Sequence, residues 1–159
     1  MEDGIGSALA RPTWDDVDRL KKMTKMKLVL KGIETREDAK LCREHGVDGI
    51  VVSNHGGRAT EDLRPTIESL PEVIDGAGPQ MKIMVDSGFR RGTDVYKALA
   101  LGANAVGIGR PYVYGLTAFG QEGVERVLDI LHTELLMTMR QCGTPTLAQI
   151  TRASVAISQ

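Results

Sequence analysis

Four short stretches of the chain hold the residue types that could do chemistry. In Ser53-Asn54-His55-Gly56-Gly57-Arg58 an imidazole stands three residues from a guanidinium. A neutral histidine takes up a proton near neutral pH, and an arginine fork clamps a carboxylate through two parallel hydrogen bonds. Together they suit proton abstraction beside a carboxylate. Asp86-Ser87-Gly88-Phe89-Arg90-Arg91 and Gly109-Arg110-Pro111 each join glycine to arginine. Glycine lets a ligand approach the backbone, a helix start offers free N–H groups, and the planar guanidinium matches phosphate oxygens. Two such loops together would make one phosphate cup. The fourth is Lys31, whose ammonium needs an anion wherever water is excluded. Asp86 could pair with it or hold a ligand hydroxyl. Plainer readings stand beside these: a lone loop histidine is often a solvent-facing bystander, and Arg90 and Arg110 could be ordinary surface charges.

What would bring the four together is their place in the pattern of elements. Thr13 offers an N-cap, and Trp14-Asp15-Asp16 opens a helix to about Thr24 with acids in its first turn. The spacing then predicts a strand over 27–31, a helix from Arg36 to His45 capped by Thr35, and a strand over 49–52. Ala39, Leu41 and Cys42 are that helix's inward candidates. A helix from about Arg64 to Val73, a Gly/Pro turn at 75–79, a strand over 81–86 and a helix over 93–101 follow. A glycine-rich strand over 105–109 and a long helix over 121–142 complete the core pattern. In the long helix Val124, Val127, Leu128, Leu131, Leu135 and Met139 recur at helical spacing. Residues 145–159 suggest a short extra helix and a tail. Strands alternating with helices predict right-handed crossovers and a parallel sheet. Each candidate stretch falls at a strand's C-terminal end, where parallel βα folds build their sites, and phosphate cups follow the last two strands of barrels. The expected fold is therefore α/β: half of a (β/α)8 barrel, four parallel βα units with flanking helices. Residues 1–12 read as a loop or cut end, 13–150 as the half-barrel, and 151–159 as a tail.

Composition narrows the classes. The chain has 159 residues with 20 Lys plus Arg against 21 Asp plus Glu, a formal net charge of −1. That balance gives no electrostatic reason to expect nucleic acid or an anionic membrane as partner. No apolar run approaches the roughly 18 residues of a membrane span. The first residues lack the basic start and apolar run of a signal peptide, and Ser154–Gln159 is no peroxisomal SKL-type address. Cys42 and Cys142 stand apart without a metal-binding pattern, which suggests two reduced thiols in the cytoplasm and no metal. His45, at a helix C-terminus, and His132, in the long helix, read as structural.

The three loop motifs carry a family resemblance. Ser53-Asn54-His55-Gly56-Gly57-Arg58, with Val-Asp-x-Gly-x-Arg-Arg-Gly-x-Asp-Val over 85–95 and Ile108-Gly109-Arg110-Pro111, closely resembles the FMN-dependent 2-hydroxy-acid oxidases and dehydrogenases. The resemblance covers about residues 13–150, and its histidine-bearing hexapeptide is the specific part. It implies an eight-stranded βα barrel with FMN at its mouth and oxidation of a small L-2-hydroxy acid to the 2-oxo acid. By the same resemblance His55 matches the catalytic base and Arg58 the substrate-carboxylate arginine. Lys31 matches the lysine beside the flavin ring, Asp86 a ribityl contact, and Ser53 a further cofactor contact. Gly88, Arg90, Gly109 and Arg110 match the phosphate cup.

Two local departures stand out. The family usually continues Gln-Leu-Asp after the arginine, where this chain has Ala59-Thr60-Glu61-Asp62. Asp-Gly-Gly is common where this chain has Asp86-Ser87-Gly88. The family's first four βα units carry an aromatic hydroxyl for the substrate carboxylate and an aspartate for the histidine, and neither has a counterpart here. A four-stranded sheet also leaves two open edges and an apolar face, which favours association. The expectation is a homo-oligomer or a complementary N-terminal half-barrel chain. The other readings are a non-catalytic flavin or phosphate binder, a truncated fragment, and an IMP-dehydrogenase-like or sugar-phosphate barrel.

Overall fold

The structure, a computed structural model, describes residues 12–59 and 64–156. Helix α1, Trp14–Met23, starts where the Asp16 carboxylate accepts the Thr13 backbone N–H at 2.9 Å. It is followed by β1 (Val29–Lys31), α2 (Arg36–Glu44), β2 (Gly49–Val52), α3 (Thr66–Ala77), β3 (Lys82–Val85), α4 (Gly92–Leu101) and β4 (Ala105–Val106). Helix α5, Arg110–Gln141, and two 3-10 turns, Leu147–Gln149 and Arg152–Ser154, complete the order. All strand pairs are parallel, in the order β1-β2-β3-β4. Four such units are half the eight of a closed βα barrel.

Side chains alternate across each strand. Leu30, Ile50, Val52, Ile83, Val85 and Val106 face the helices and join Ala39, Cys42, Leu70, Val73, Ala77 and Ala98 in one core. Fully burying a Leu, Ile or Val side chain is worth about 1.5–3 kcal/mol, so this layer supplies most of the sheet-to-helix adhesion. Burial, with the Asp38 charge adding to it, pushes the Cys42 thiol up to about 11. The opposite face is uncovered: Val29 is 47% and Met84 39% exposed, and both lie on the same side as Lys31 and Lys82. In a closed barrel that face is the interior.

Helix α1 has no fully buried residue; Trp14 and Val17 pack against the edge of the core, and polar contacts add to that hold. Trp14 stacks on His45 with ring centroids 5.1 Å apart, and His45 Nδ1 lies 2.8 Å from Asp18 Oδ1. Asp48 takes Lys21 Nζ at 2.7 Å, Lys27 Nζ at 3.0 Å and the Leu28 N–H at 2.8 Å. These bonds, with the Asp48 N–H donated to Leu28 O at 2.8 Å, tie residues 27–28 to Asp48 just ahead of β1, which starts at Val29 rather than at 27. They also hold the Asp48 carboxyl well below the usual range, Lys21 first, then the Leu28 amide and Lys27.

Several boundaries differ from expectation. Helix α3 continues to Ala77 through Pro71 and ends at Gly78, whose N–H reaches Ile74 O at 3.0 Å. Strand β4 stops at Val106, because Gly107 makes one last bond to Val85 O at 2.8 Å before the chain turns into α5. Helix α5 begins at Arg110, eleven residues before the expected 121, and breaks at Phe119 and Gly120. Gly120 has φ 61 and ψ −139, a conformation open essentially to glycine alone. The break folds the first segment back until Gly115 and Gly123 meet backbone to backbone, leaving no room for a Cβ on either. Beyond it Leu131 and Met139 are buried, while Leu128, of the same apolar repeat, is 50% exposed. The expected C-terminal helix is the pair of 3-10 turns, from which Ile150 and Val155 pack on Tyr96, Ala100 and Met139.

Candidate active site

Every predicted strand-end stretch arrives on one rim. Lys31, His55, Arg58, Asp86, Gly88, Arg90, Gly109 and Arg110 all line a single cleft of about 410 Å³. Ser53 lies beneath it, fully buried at 0% exposure.

The β2 loop is built by Asn54. Its Oδ1 accepts the N–H groups of Gly56 and Gly57, both at 3.1 Å, and its Nδ2 donates to Arg64 O at 3.4 Å. This bracket holds three successive left-handed residues, His55 at φ 57, Gly56 at φ 74 and Gly57 at φ 72. The His55 ring lies over Gly32, where an added Cβ would stand 3.0 Å from its Cε1. A side chain at residue 32 would thus push the imidazole aside. Among the described residues no carboxylate bonds that ring. Arg58 is exposed on the same loop.

Beneath the loop runs a polar chain centred on Ser53. Lys31 Nζ donates to Ser53 Oγ at 2.6 Å and lies 3.2 Å from Asp86 Oδ2, and the His55 N–H reaches Ser53 Oγ at 3.2 Å. The strand-end lysine therefore has its anion. Burial alone would raise the Asp86 carboxyl, but hydrogen bonds from Ser53, Ser87 and Lys31, with the lysine charge, hold it below the ordinary value.

The arginines come from the next two loops. Arg90 lies over the Tyr114 ring, 5.9 Å from its centroid, and Arg110 Nη2 donates to Gly56 O at 3.1 Å. One expected donor set is spent elsewhere. The N–H groups of Arg90 and Arg91 go to Asp94 Oδ2 at 3.0 and 2.9 Å, and that of Gly92 goes to Glu134 Oε2 at 2.8 Å. The start of α4 is thus capped by the protein itself. Among the described residues no side chain makes such a cap at the start of α5. Gly88 and Gly109 both have open space where a Cβ would stand.

The donor chemistry fits a flavin phosphate. Four cationic side chains, Lys31, Arg58, Arg90 and Arg110, face one carboxylate, Asp86, across this cleft. Low-dielectric walls strengthen such a field toward an anion. No group of three or more metal-ligating side chains occurs among the described residues. Sequence reasoning gave no role to Asn54 or Ser87, though both lie in the predicted stretches, and missed Thr66, Tyr114 and Glu134, which support the rim. Only Ser87 left a signal, as a departure from a glycine.

A family model described as FMN-dependent dehydrogenase matches residues 3–157. The chain is 50% identical over 143 residues to the peroxisomal (S)-2-hydroxyacid oxidase GLO3 of Arabidopsis thaliana, which covers 90% of this chain and 39% of that protein. It is 46% identical over 143 residues to the L-lactate oxidase of Lysinibacillus sphaericus, covering 89% and 37% respectively. Among solved structures, a double mutant of flavocytochrome b2 with pyruvate bound matches with TM-score 0.88 and 41% identity, over 92% of this chain and 39% of that one. A soluble mutant of the membrane-associated (S)-mandelate dehydrogenase of Pseudomonas putida matches with TM-score 0.85 and 37% identity, over 96% and 45%. The chain spans about two-fifths of the length of the curated relatives it matches.

Proposed function

Because the chain belongs to the FMN-dependent dehydrogenase family, we propose that its rim forms the phosphate and substrate-carboxylate ends of a site oxidising a small L-2-hydroxy acid to the 2-oxo acid. The observation that carries this is the convergence of Lys31, His55, Arg58, Asp86, Arg90 and Arg110 on one cleft. Bound FMN would supply the two-electron acceptor. Arg90, Arg110 and the uncapped start of α5 hold its phosphate, with Gly88 and Gly109 leaving room for close approach. Asp86 accepts from a ribityl hydroxyl. Lys31, fixed by Ser53 and Asp86, offers a positive charge to the ring. Arg58 grips the substrate carboxylate, and His55 takes the proton the substrate gives up.

A second reading keeps the flavin and drops the turnover: the rim binds FMN without catalysis. The observation favouring it is that no described carboxylate orients the His55 imidazole, and a histidine base works best with such a partner. The two separate in one experiment. The purified chain is mixed with FMN, its spectrum is recorded, and lactate, glycolate or mandelate is added without oxygen. Bleaching supports oxidation, a bound but unbleached flavin supports the second reading, and no bound flavin defeats both.

The partner we propose is a set of βα units that covers the open face, from a complementary half-barrel chain or a second copy. Exposed Val29 and Met84 between two unpaired edges, β1 and β4, support it. The compartment proposed is the cytoplasm, on the strength of the free thiols of Cys42 and Cys142.

A further inference from the structure

We propose that Ser87 is a positioning residue: its hydroxyl ties the backbone of the His55–Arg58 loop to the carboxylate of Asp86, so that the two move as one unit. Ser87 has φ 76, one of two non-glycine residues in the left-handed region among the described residues. An ordinary L-residue is strained there, and glycine is not. A serine kept at such a place must return something through its side chain. Its Oγ does two things at once. It donates to Asp86 Oδ1 at 2.8 Å and accepts the Gly56 N–H at 3.1 Å.

The second bond crosses from the β3 loop to the β2 loop, 31 residues away in sequence. The same Gly56 N–H is shared with Asn54 Oδ1 at 3.1 Å, so the amide is held from both sides. Gly56 O, at the other end of that residue, receives Arg110. One residue of the histidine loop is thereby pinned to the β3 loop through its amide and to α5 through its carbonyl. Thr66 makes the strained turn possible from below. Buried at the start of α3, its Oγ1 donates to Asp86 O at 2.5 Å and approaches Ser87 O at 3.2 Å. Strained residues persist where surrounding bonds over-determine them, and here three bonds do so. The functional purpose of this tie rests on the flavin-site reading; its geometry does not.

The test uses the full 159-residue chain without flavin, as wild type, Ser87→Ala and Ser87→Gly. Ala keeps the left-handed strain and loses the hydroxyl, whereas Gly loses both and cannot unfold the turn by strain. Gly56 amide exchange and the Asp86 carboxyl titration are followed by NMR, and FMN affinity is then measured by fluorescence quenching. Both variants should speed Gly56 exchange about threefold to tenfold, the size of one ordinary hydrogen bond. The Asp86 midpoint should rise in both, and FMN affinity should fall in both. A Ser87→Gly protein with wild-type exchange at Gly56 and an unmoved Asp86 midpoint would overturn the proposal. Changed exchange and titration in a chain that binds no FMN at all would uphold the tie and sink the flavin reading instead.

Discussion

His55 and Arg110 share a rim but carry separable duties, and single substitutions should pull them apart. Arg110 offers charge and a fork to a phosphate, and its removal takes away at least one charge-assisted bond worth roughly 1.5–3 kcal/mol. Arg110→Ala should therefore weaken FMN binding about tenfold or more, measured by flavin titration. His55→Ala should leave FMN bound and abolish flavin bleaching by 2-hydroxy acids. Flavin lost from the His55 variant alone would contradict the assignment. Asp86 adds a dependence on acid. Its carboxyl is held down by Ser53, Ser87 and Lys31 against burial, so the folded state binds its proton later than the unfolded chain does. The stability it contributes is complete above about pH 4, the unfolded carboxylate value, and fades as the pH falls through the lower folded value. Asp48, lowered chiefly by Lys21, acts in the same direction. Thermal midpoints should fall below about pH 4, and less steeply in Asp86→Asn and Asp48→Asn variants. At this scale the sequence named residues that meet in one cleft, as for His55, Arg58 and the two arginines. It was mute on Glu134 and marked Ser87 only as a departure from glycine, because bonds to Gly92 and Gly56 come from segments far apart in the chain.

Helix α5 shows what periodicity can and cannot tell. The apolar repeat over 121–142 announced its second segment, since Leu131 and Met139 do face inward. The first segment was invisible: Tyr112, Val113, Tyr114 and Leu116 are all exposed, so no single apolar stripe marks it. Yet it brings Tyr114 to Arg90 and sets Arg110 on the rim. The bend between the segments depends on Gly120, whose φ of 61 and ψ of −139 suit no other residue. Gly120→Ala should destabilise the protein by about 1–3 kcal/mol, read from denaturant unfolding, and should also weaken FMN binding by moving Arg110. Unchanged unfolding would show that the bend is loosely held. Strand ends were misjudged for a different reason. Strand ends depend on backbone pairing with the neighbouring strand, as at Val29 of β1 and Val106 of β4, and composition does not carry that information.

At the scale of the molecule the sheet has one finished side and one unfinished side. Helices close the first over Ile50, Val52, Ile83 and Val85. The other exposes Val29 and Met84 between two strand edges, and such surfaces associate. Size-exclusion chromatography with light scattering should find the chain self-associated, or shifted to a defined complex when four complementary βα units are supplied. A monomer indifferent to both would count against the proposed partner. The alternation of strands and helices made this architecture readable, because four βα units cannot close a barrel that needs eight.

The stacking of Trp14 on His45 has a practical consequence for optical spectroscopy. Trp14 is the chain's single tryptophan, so indole emission issues from one spot, the seam between α1 and α2. That seam is remote in sequence from the arginine loops and contains none of the cleft's lining. Its glow therefore monitors departure of the first helix, while circular dichroism averages the whole backbone. Melting curves that coincide by both signals would mean that α1 leaves with everything else; curves that diverge would mark it as the piece that lets go on its own.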